Sequence, residues 1–149
     1  MMKRLLIGMP AALALAGQLF AGGFYLQLGN PEASADAQKV NAVVTVKATG
    51  CHDPNSAALT ATATGIVNGE RRTIPVKVEK LAGEGMFAIA QQWPKEGRWV
   101  IQVNGKNAGM STNVMVTAGP NGVDRTHAKY QMTREFTSSD VDAMLTALQ

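Results

Sequence analysis

The segment of residues 71–105, RRTIPVKVEKLAGEGMFAIAQQWPKEGRWVIQVNG, constrains the fold more than any other part of this chain. Three stretches in it alternate apolar and polar side chains, and each break between them carries glycine or proline. Alternation at a period of two residues places every second side chain on one face, which is typical of half-buried antiparallel strands. The segment therefore predicts β-strands joined by short turns.

Similar alternation on both sides of this segment predicts further strands. Residues 40–48 and 57–67 precede it, and the second of these ends at Asn68-Gly69, a dipeptide typical of a two-residue hairpin turn. Residues 110–116 follow it, and residues 123–136 carry a weaker pattern. About seven short strands without any β-α-β pattern predict an all-β, antiparallel sandwich or barrel and not a parallel α/β sheet.

The N-terminal residues have the composition of an export signal. A basic start at residues 1–4 is followed by residues 5–28, which contain no charged side chain. Ala33-Ser34-Ala35 matches an A-x-A cleavage pattern, and Ala14-Leu15-Ala16 matches it earlier, so the cut position stays open. The uncharged stretch also has the length of a membrane-spanning helix. We expect a signal peptide or membrane anchor in residues 1–35, cleavage after Ala35, and a periplasmic or extracellular sandwich in residues 36–137.

The last twelve residues, 138–149, carry a helical pattern. Ser138-Ser139-Asp140 combines an N-cap residue with an acidic side chain in a first helical turn. Four apolar residues then follow at helical spacing: Val141, Met144, Leu145 and Leu148. The pattern predicts a short amphipathic C-terminal helix, with a fraying tail as the alternative.

Composition argues against two classes of function. The net charge is +3 and no run of Lys or Arg is longer than Arg71-Arg72, so the electrostatic footprint of a nucleic-acid-binding protein is absent from the sequence. The chain also lacks a C-x-x-C motif, a G-x-S-x-G motif and a glycine-rich phosphate loop after a strand. We therefore expect no enzymatic activity.

The densest group of reactive side chains is Cys51-His52-Asp53, in a predicted turn. A thiol enzyme would need these neighbours to form a relay, whereas members of catalytic triads usually converge from separate elements. Cysteine sulfur and imidazole suit copper or zinc, and His127 is the second of the two histidines. Cys51, His52 and His127 are therefore candidate metal ligands, and a buried, chemically inert Cys51 is the alternative.

Two tryptophans flank the turn Pro94-Lys95-Glu96-Gly97. Trp93 and Trp99, together with Gln91 in the same alternation phase, are candidate binding residues because aromatic side chains often anchor protein partners. The alternative is that both indoles close one end of the core.

Residues 85–103, GMFAIAQQWPKEGRWVIQV, resemble a hairpin of YtkA-like and CopC-like immunoglobulin-type domains. In those small exported bacterial modules, a G-x-[FY] strand leads through a P-x-x-G-x-W turn into a W-x-[IV]-x-V strand. The resemblance implies that the predicted strands form an all-β, immunoglobulin-like antiparallel β-sandwich, and it implies export. CopC-like copper carriers typically have a histidine at or near the mature N-terminus, whereas Asp36-Ala37-Gln38 contains none.

These patterns together predict a non-catalytic, exported binding or accessory module of the cell envelope. Its expected partner is another envelope protein, and membrane contact is expected only through an uncleaved N-terminal segment. No cofactor is required by this prediction. The alternative is a carrier of copper or zinc that uses Cys51 and His52.

Overall fold

A computed structural model describes residues 22–148 of the 149-residue chain. This part of the chain is mostly β-strand, with nine strands and two short α-helices. The strands are β1 (Tyr25–Gly29), β2 (Ala42–Thr49), β3 (Ala58–Val67), β4 (Glu70–Val76), β5 (Glu79–Lys80), β6 (Met86–Ala90), β7 (Arg98–Asn107), β8 (Met110–Gly119) and β9 (Gly122–Gln131). The α-helices are α1 (Ala35–Lys39) and α2 (Ser138–Thr146).

The strands form two antiparallel sheets. The first sheet has the order β1-β2-β6-β5 and the second has the order β4-β3-β7-β8-β9. The expectation of an all-β, antiparallel fold is confirmed. The expected number of about seven strands was too low for residues 22–148, because β1 was read as part of the uncharged N-terminal run and β5 has only two residues.

The two sheets pack face to face around one core. A single buried cluster contains Val46 and Ile89 from the first sheet together with Ile101 and Val114 from the second, all fully buried. These residues occupy alternating strand positions, as a period of two residues requires when one face of each sheet is covered. In β3 and β7, the apolar side chains of the alternating sequence pattern are therefore the ones that face the core.

Residues 85–103 do not form a hairpin, although their sequence resembles one. Strand β6 pairs with β2 and β5 in the first sheet, whereas β7 pairs with β3 and β8 in the second. The turn at residues 94–97 belongs to a connection that crosses from one sheet to the other. The prediction of a hairpin was wrong because alternation reports which face of a strand is buried and not which strand it pairs with.

The first sheet begins before residue 36. Strand β1 pairs with β2 over five residues, from Tyr25 opposite Thr49 to Gly29 opposite Thr45. Phe24 and Leu26 are 1% and 3% exposed. The end of the uncharged run thus supplies core side chains. Residues 1–21, which hold most of the expected signal or anchor, lie outside the described residues.

Helix α2 covers part of the outer face of the second sheet. Val100 of β7 and Met115 of β8 point away from the main core, yet both are 1% exposed. They belong to a second buried cluster that also contains Phe136, Val141, Met144 and Leu145. Neither this helix nor any other between residues 22 and 148 is long and apolar enough to cross a membrane.

The start of α2 is held by a capping box. The Thr137 hydroxyl accepts a hydrogen bond from the Asp140 backbone N–H, and the Asp140 carboxylate accepts one from the Thr137 backbone N–H. Arg134 donates to the same carboxylate at 2.7 Å. This contact, followed by the bond from Thr137, lowers the pKa of Asp140 well below its ordinary value.

Candidate functional site

The Cys51-His52-Asp53 turn lies at the end of the sandwich where β2 leads into β3. Cys51 is half-buried and packs against the main core, whereas His52 is exposed. Asp53 has a structural role, because its carboxylate caps the short helical turn that follows and accepts a hydrogen bond from the Asn55 N–H at 3.2 Å. The Asn107 side-chain amide donates to the Asp53 carbonyl at 2.9 Å and ties this turn to the end of β7.

His127 lies on β9, at the edge of the second sheet, and pairs with a carboxylate on its own strand. Its Nδ1 is 2.7 Å from Asp124 Oδ2, and its side chain is mostly exposed. The hydrogen bond with His127 is the main reason why the pKa of Asp124 is lowered from its ordinary value. Among residues 22–148, no group of three or more His, Cys, Asp or Glu side chains is placed to hold a metal ion. The structure therefore does not bring Cys51, His52 and His127 together.

Both tryptophans lie in the core, at the opposite end of the sandwich from Cys51. Trp93 and Trp99 are 6% and 1% exposed, and the Trp99 indole N–H donates to the Glu96 carbonyl at 2.9 Å. Gln91 is exposed and donates from its side-chain amide to the Trp93 carbonyl at 3.2 Å. The two indoles therefore close one end of the core and do not present an exposed aromatic surface, and Gln91 lies outside the core, contrary to the alternation phase that placed it with Trp93.

The sheet edges are the remaining surfaces that could bind a partner, because an edge strand carries unpaired backbone N–H and C=O groups. Within residues 22–148 the two sheets end in four edge strands: β1 and β5 in the first, β4 and β9 in the second. Strand β4 carries Arg71, Arg72 and Pro75, and β5 consists only of Glu79 and Lys80. Charge, proline and short length all discourage the addition of a further strand.

Strand β9 is protected by a large bulge. Met115 of β8 stands opposite Lys129, but Thr117 stands opposite Asp124, so residues 125–128 face Val116 alone. The strand also carries charged side chains at Asp124, Arg125 and Lys129. A bulge twists a strand and interrupts its ladder, which makes the edge a poor template for pairing. The only sign of this bulge in the sequence was the weak alternation after residue 122. Weak alternation indicates an irregular strand but does not show that the irregularity is a bulge.

Strand β1 has none of these protective features. Its sequence, YLQLG, has no charge and no proline, and its five residues pair with β2 without any shift of register. Tyr25 and Gln27 are exposed on its outer face, and the Tyr25 side chain is 47% exposed. In the described part of the chain, β1 has a strand neighbour on one side only. It is thus the edge most open to pairing with another strand.

No protein-family model, no curated protein and no solved structure matches this chain.

Proposed function

We propose that this chain is an exported, non-catalytic, immunoglobulin-like binding module of the cell envelope. It binds an extended segment of another envelope protein along the edge of β1 that has no strand neighbour among residues 22–148. The observation that carries this proposal is the contrast between β1 and the other three edges, which are blunted by charge, proline, short length or a bulge.

The strand order supports the immunoglobulin-like class. Immunoglobulin-type sandwiches place strands A, B, E and D in one sheet and C, F and G in the other. With β1 as strand A, the order β1-β2-β6-β5 corresponds to A-B-E-D. The order β3-β7-β8 corresponds to C-F-G, with β4 and β9 added at its two sides.

Export is supported by the N-terminal sequence, which has a basic start at residues 1–4 and an uncharged run after it. The resemblance of residues 85–103 to YtkA-like and CopC-like domains favours the same compartment.

The mode of binding follows from the chemistry of a free strand edge. A partner strand that adds to β1 forms main-chain hydrogen bonds, which give affinity, while its alternate side chains meet the outer face and give specificity. The outer face offers Tyr25 and Gln27, an aromatic ring and a neutral amide. The expected partner segment is therefore extended and uncharged. Since five residues span about 17 Å of strand, the contact is small and transient by the standards of stable interfaces.

Site-specific photo-crosslinking in cells that make the protein tests the binding edge. A photoreactive side chain at Tyr25 is expected to capture an envelope protein, and the same side chain at Arg72 on β4 is expected to capture much less. In the Tyr25 background, Gln27→Lys places a charge beside the edge and should remove the adduct. Thr126→Lys, the matched change on β9, should leave it. Equal capture from the Tyr25 and Arg72 positions, or equal loss of the Tyr25 adduct on Gln27→Lys and on Thr126→Lys, contradicts the proposal.

Export is tested separately by cell fractionation. The full chain with a C-terminal tag is expected in the periplasmic, membrane or extracellular fraction, where a membrane-impermeant protease can reach it. Recovery of the protein only from the cytoplasm contradicts export. Binding along the β1 edge is then decided by the crosslinking experiment alone.

A further inference from the structure

We infer that the mature exported protein retains Phe24 and the whole of β1, and so is not cut after Ala35. This inference rests on the proposed export of the chain. It concerns a boundary that the A-x-A pattern at residues 33–35 leaves ambiguous, because two candidate cleavage patterns occur in the sequence.

Phe24 and Leu26 are buried in the core of the protein. Both side chains belong to the main core cluster, which contains residues of both sheets. They pack onto β7 at Gly105, where an added β-carbon would lie 3.1 Å from Phe24 Cζ and 3.2 Å from Leu26 Cδ1. Since Gly105 belongs to the second sheet, these side chains fill the space between the sheets. A chain that starts at Asp36 would have a void there.

The backbone pairing between β1 and β2 also supports the retention of β1. Removal of β1 would leave the backbone groups of β2 without a partner on that side, from Thr45 to Thr49. Val46 and Ala48 of this strand are buried core residues, so the loss would expose an unpaired edge directly beside the core. Unprotected edges of this kind favour aggregation.

Hydrogen bonds made by residues just before residue 36 also support the retention of this segment. Ser34 caps α1, because its hydroxyl accepts a hydrogen bond from the Ala37 N–H at 3.2 Å. The Gln38 side-chain amide donates to the Glu32 carbonyl at 2.7 Å. A cut after Ala35 would remove both bonds and the N-terminal end of α1 itself, next to the fully buried Ala37.

The first experiment determines the N-terminus of the exported protein. The full chain with a C-terminal tag is purified from the exported fraction and analysed by N-terminal sequencing and intact mass. The expected N-terminus lies at or before Phe24, and an uncleaved chain also retains β1 and agrees with the inference. An N-terminus at Asp36 overturns the inference while leaving export intact. Asp36→Pro, which blocks a cut after Ala35, is expected to leave the N-terminus unchanged.

The second experiment does not depend on export. The full chain is made by cell-free translation, where no export machinery acts on it, and the urea midpoints of Leu26→Ala and Gln27→Ala are compared with that of the unchanged protein. Leu26→Ala should lower the midpoint clearly, because it opens a cavity in the core. Gln27→Ala, on the exposed face of the same strand, should change it little.

Leu26→Met keeps most of the buried volume and serves as the milder variant if Leu26→Ala does not fold. It is expected to lower the midpoint by less than Leu26→Ala does. Equal midpoints for Leu26→Ala and Gln27→Ala would show that β1 does not belong to the stable core and would overturn the inference. Failure of export alone would leave the difference between these variants in place.

Discussion

Trp99 lies directly opposite Gly65 in the β3–β7 pair, and its indole occupies the space that a side chain at Gly65 would need. An added β-carbon at Gly65 would overlap the indole carbons, and it would also lie 2.8 Å from the Arg98 carbonyl. Gly65 is therefore required for the close approach of a large aromatic ring, and its φ angle is not in the left-handed region. Trp99 closes the core at this end because its neighbour has no side chain.

Replacement of Gly65 by alanine should destabilise the protein by about 1–3 kcal/mol, the usual cost of overpacking a well-packed core. The urea unfolding midpoint measures the effect. Gly119→Ala is the matched control, because no heavy atom lies within 4 Å of the position of its β-carbon. A Gly65→Ala protein as stable as the Gly119→Ala protein would mean that the indole moves aside without cost.

Loss of the Asn107 side chain should loosen the turn that contains Cys51. Asn107 is 6% exposed and donates to the Asp53 carbonyl at 2.9 Å and to Ser56 Oγ at 3.3 Å. Asn107→Ala removes this donor at a cost of about 0.5–1.5 kcal/mol, the usual net value of one hydrogen bond, because the Asp53 carbonyl still accepts from the Ser56 N–H and hydroxyl. Faster alkylation of Cys51 in the native protein is the expected sign of more frequent local opening. Asn121→Ala, in the exposed turn between β8 and β9, should leave the alkylation rate unchanged.

The contribution of Asp140 to stability should depend on pH. Because Arg134 and Thr137 lower the pKa of this carboxyl in the folded protein, its contribution is complete above the ordinary value of about 4 and is lost as the pH falls toward the lowered value. Asp140→Asn should therefore be less stable than the unchanged protein between pH 5 and 7. The difference between their urea midpoints should shrink below about pH 4. A difference that stays constant down to about pH 2 would contradict this assignment.

Replacement of Cys51 by serine should not change the retention of metal. Cys51 packs against the core, His52 is exposed, and the described residues contain no group of three suitable donors. Equilibrium dialysis of the full chain with Cu(I) and with Zn²⁺ measures retention, and the two proteins are expected to retain equal amounts. Loss of a stoichiometric ion in Cys51→Ser alone would favour the alternative of a copper or zinc carrier.

Much of the strand architecture could be predicted from the sequence. Ala61, Ala63 and Gly65 of β3 and Ile101 and Val103 of β7 lie on the predicted inner faces, because a period of two residues is a local property of an extended chain. The capping pattern before Val141 likewise indicated a helix near the C-terminus, and α2 lies there.

The pairing of the strands and the segments that cover the faces of the sheets could not be predicted in this way. Nothing in the alternation of residues 85–103 shows that β6 and β7 belong to different sheets. Val100 and Met115 are apolar on the outer phase of their strands, which is a signal that a second layer covers them, but it does not show which segment does so. Phe24 and Leu26 read equally well as part of a membrane anchor, because both environments select apolar side chains.

The sequence by itself determined which side chains alternate, where the chain turns and that the fold is built from antiparallel strands, since these properties depend on neighbouring residues. Only the tertiary structure decided that β1 belongs to the first sheet, that Trp99 packs on Gly65 and that Cys51, His52 and His127 do not converge. These relationships join residues far apart in the chain. They are decided by which apolar surfaces can cover one another, and local patterns do not encode that choice.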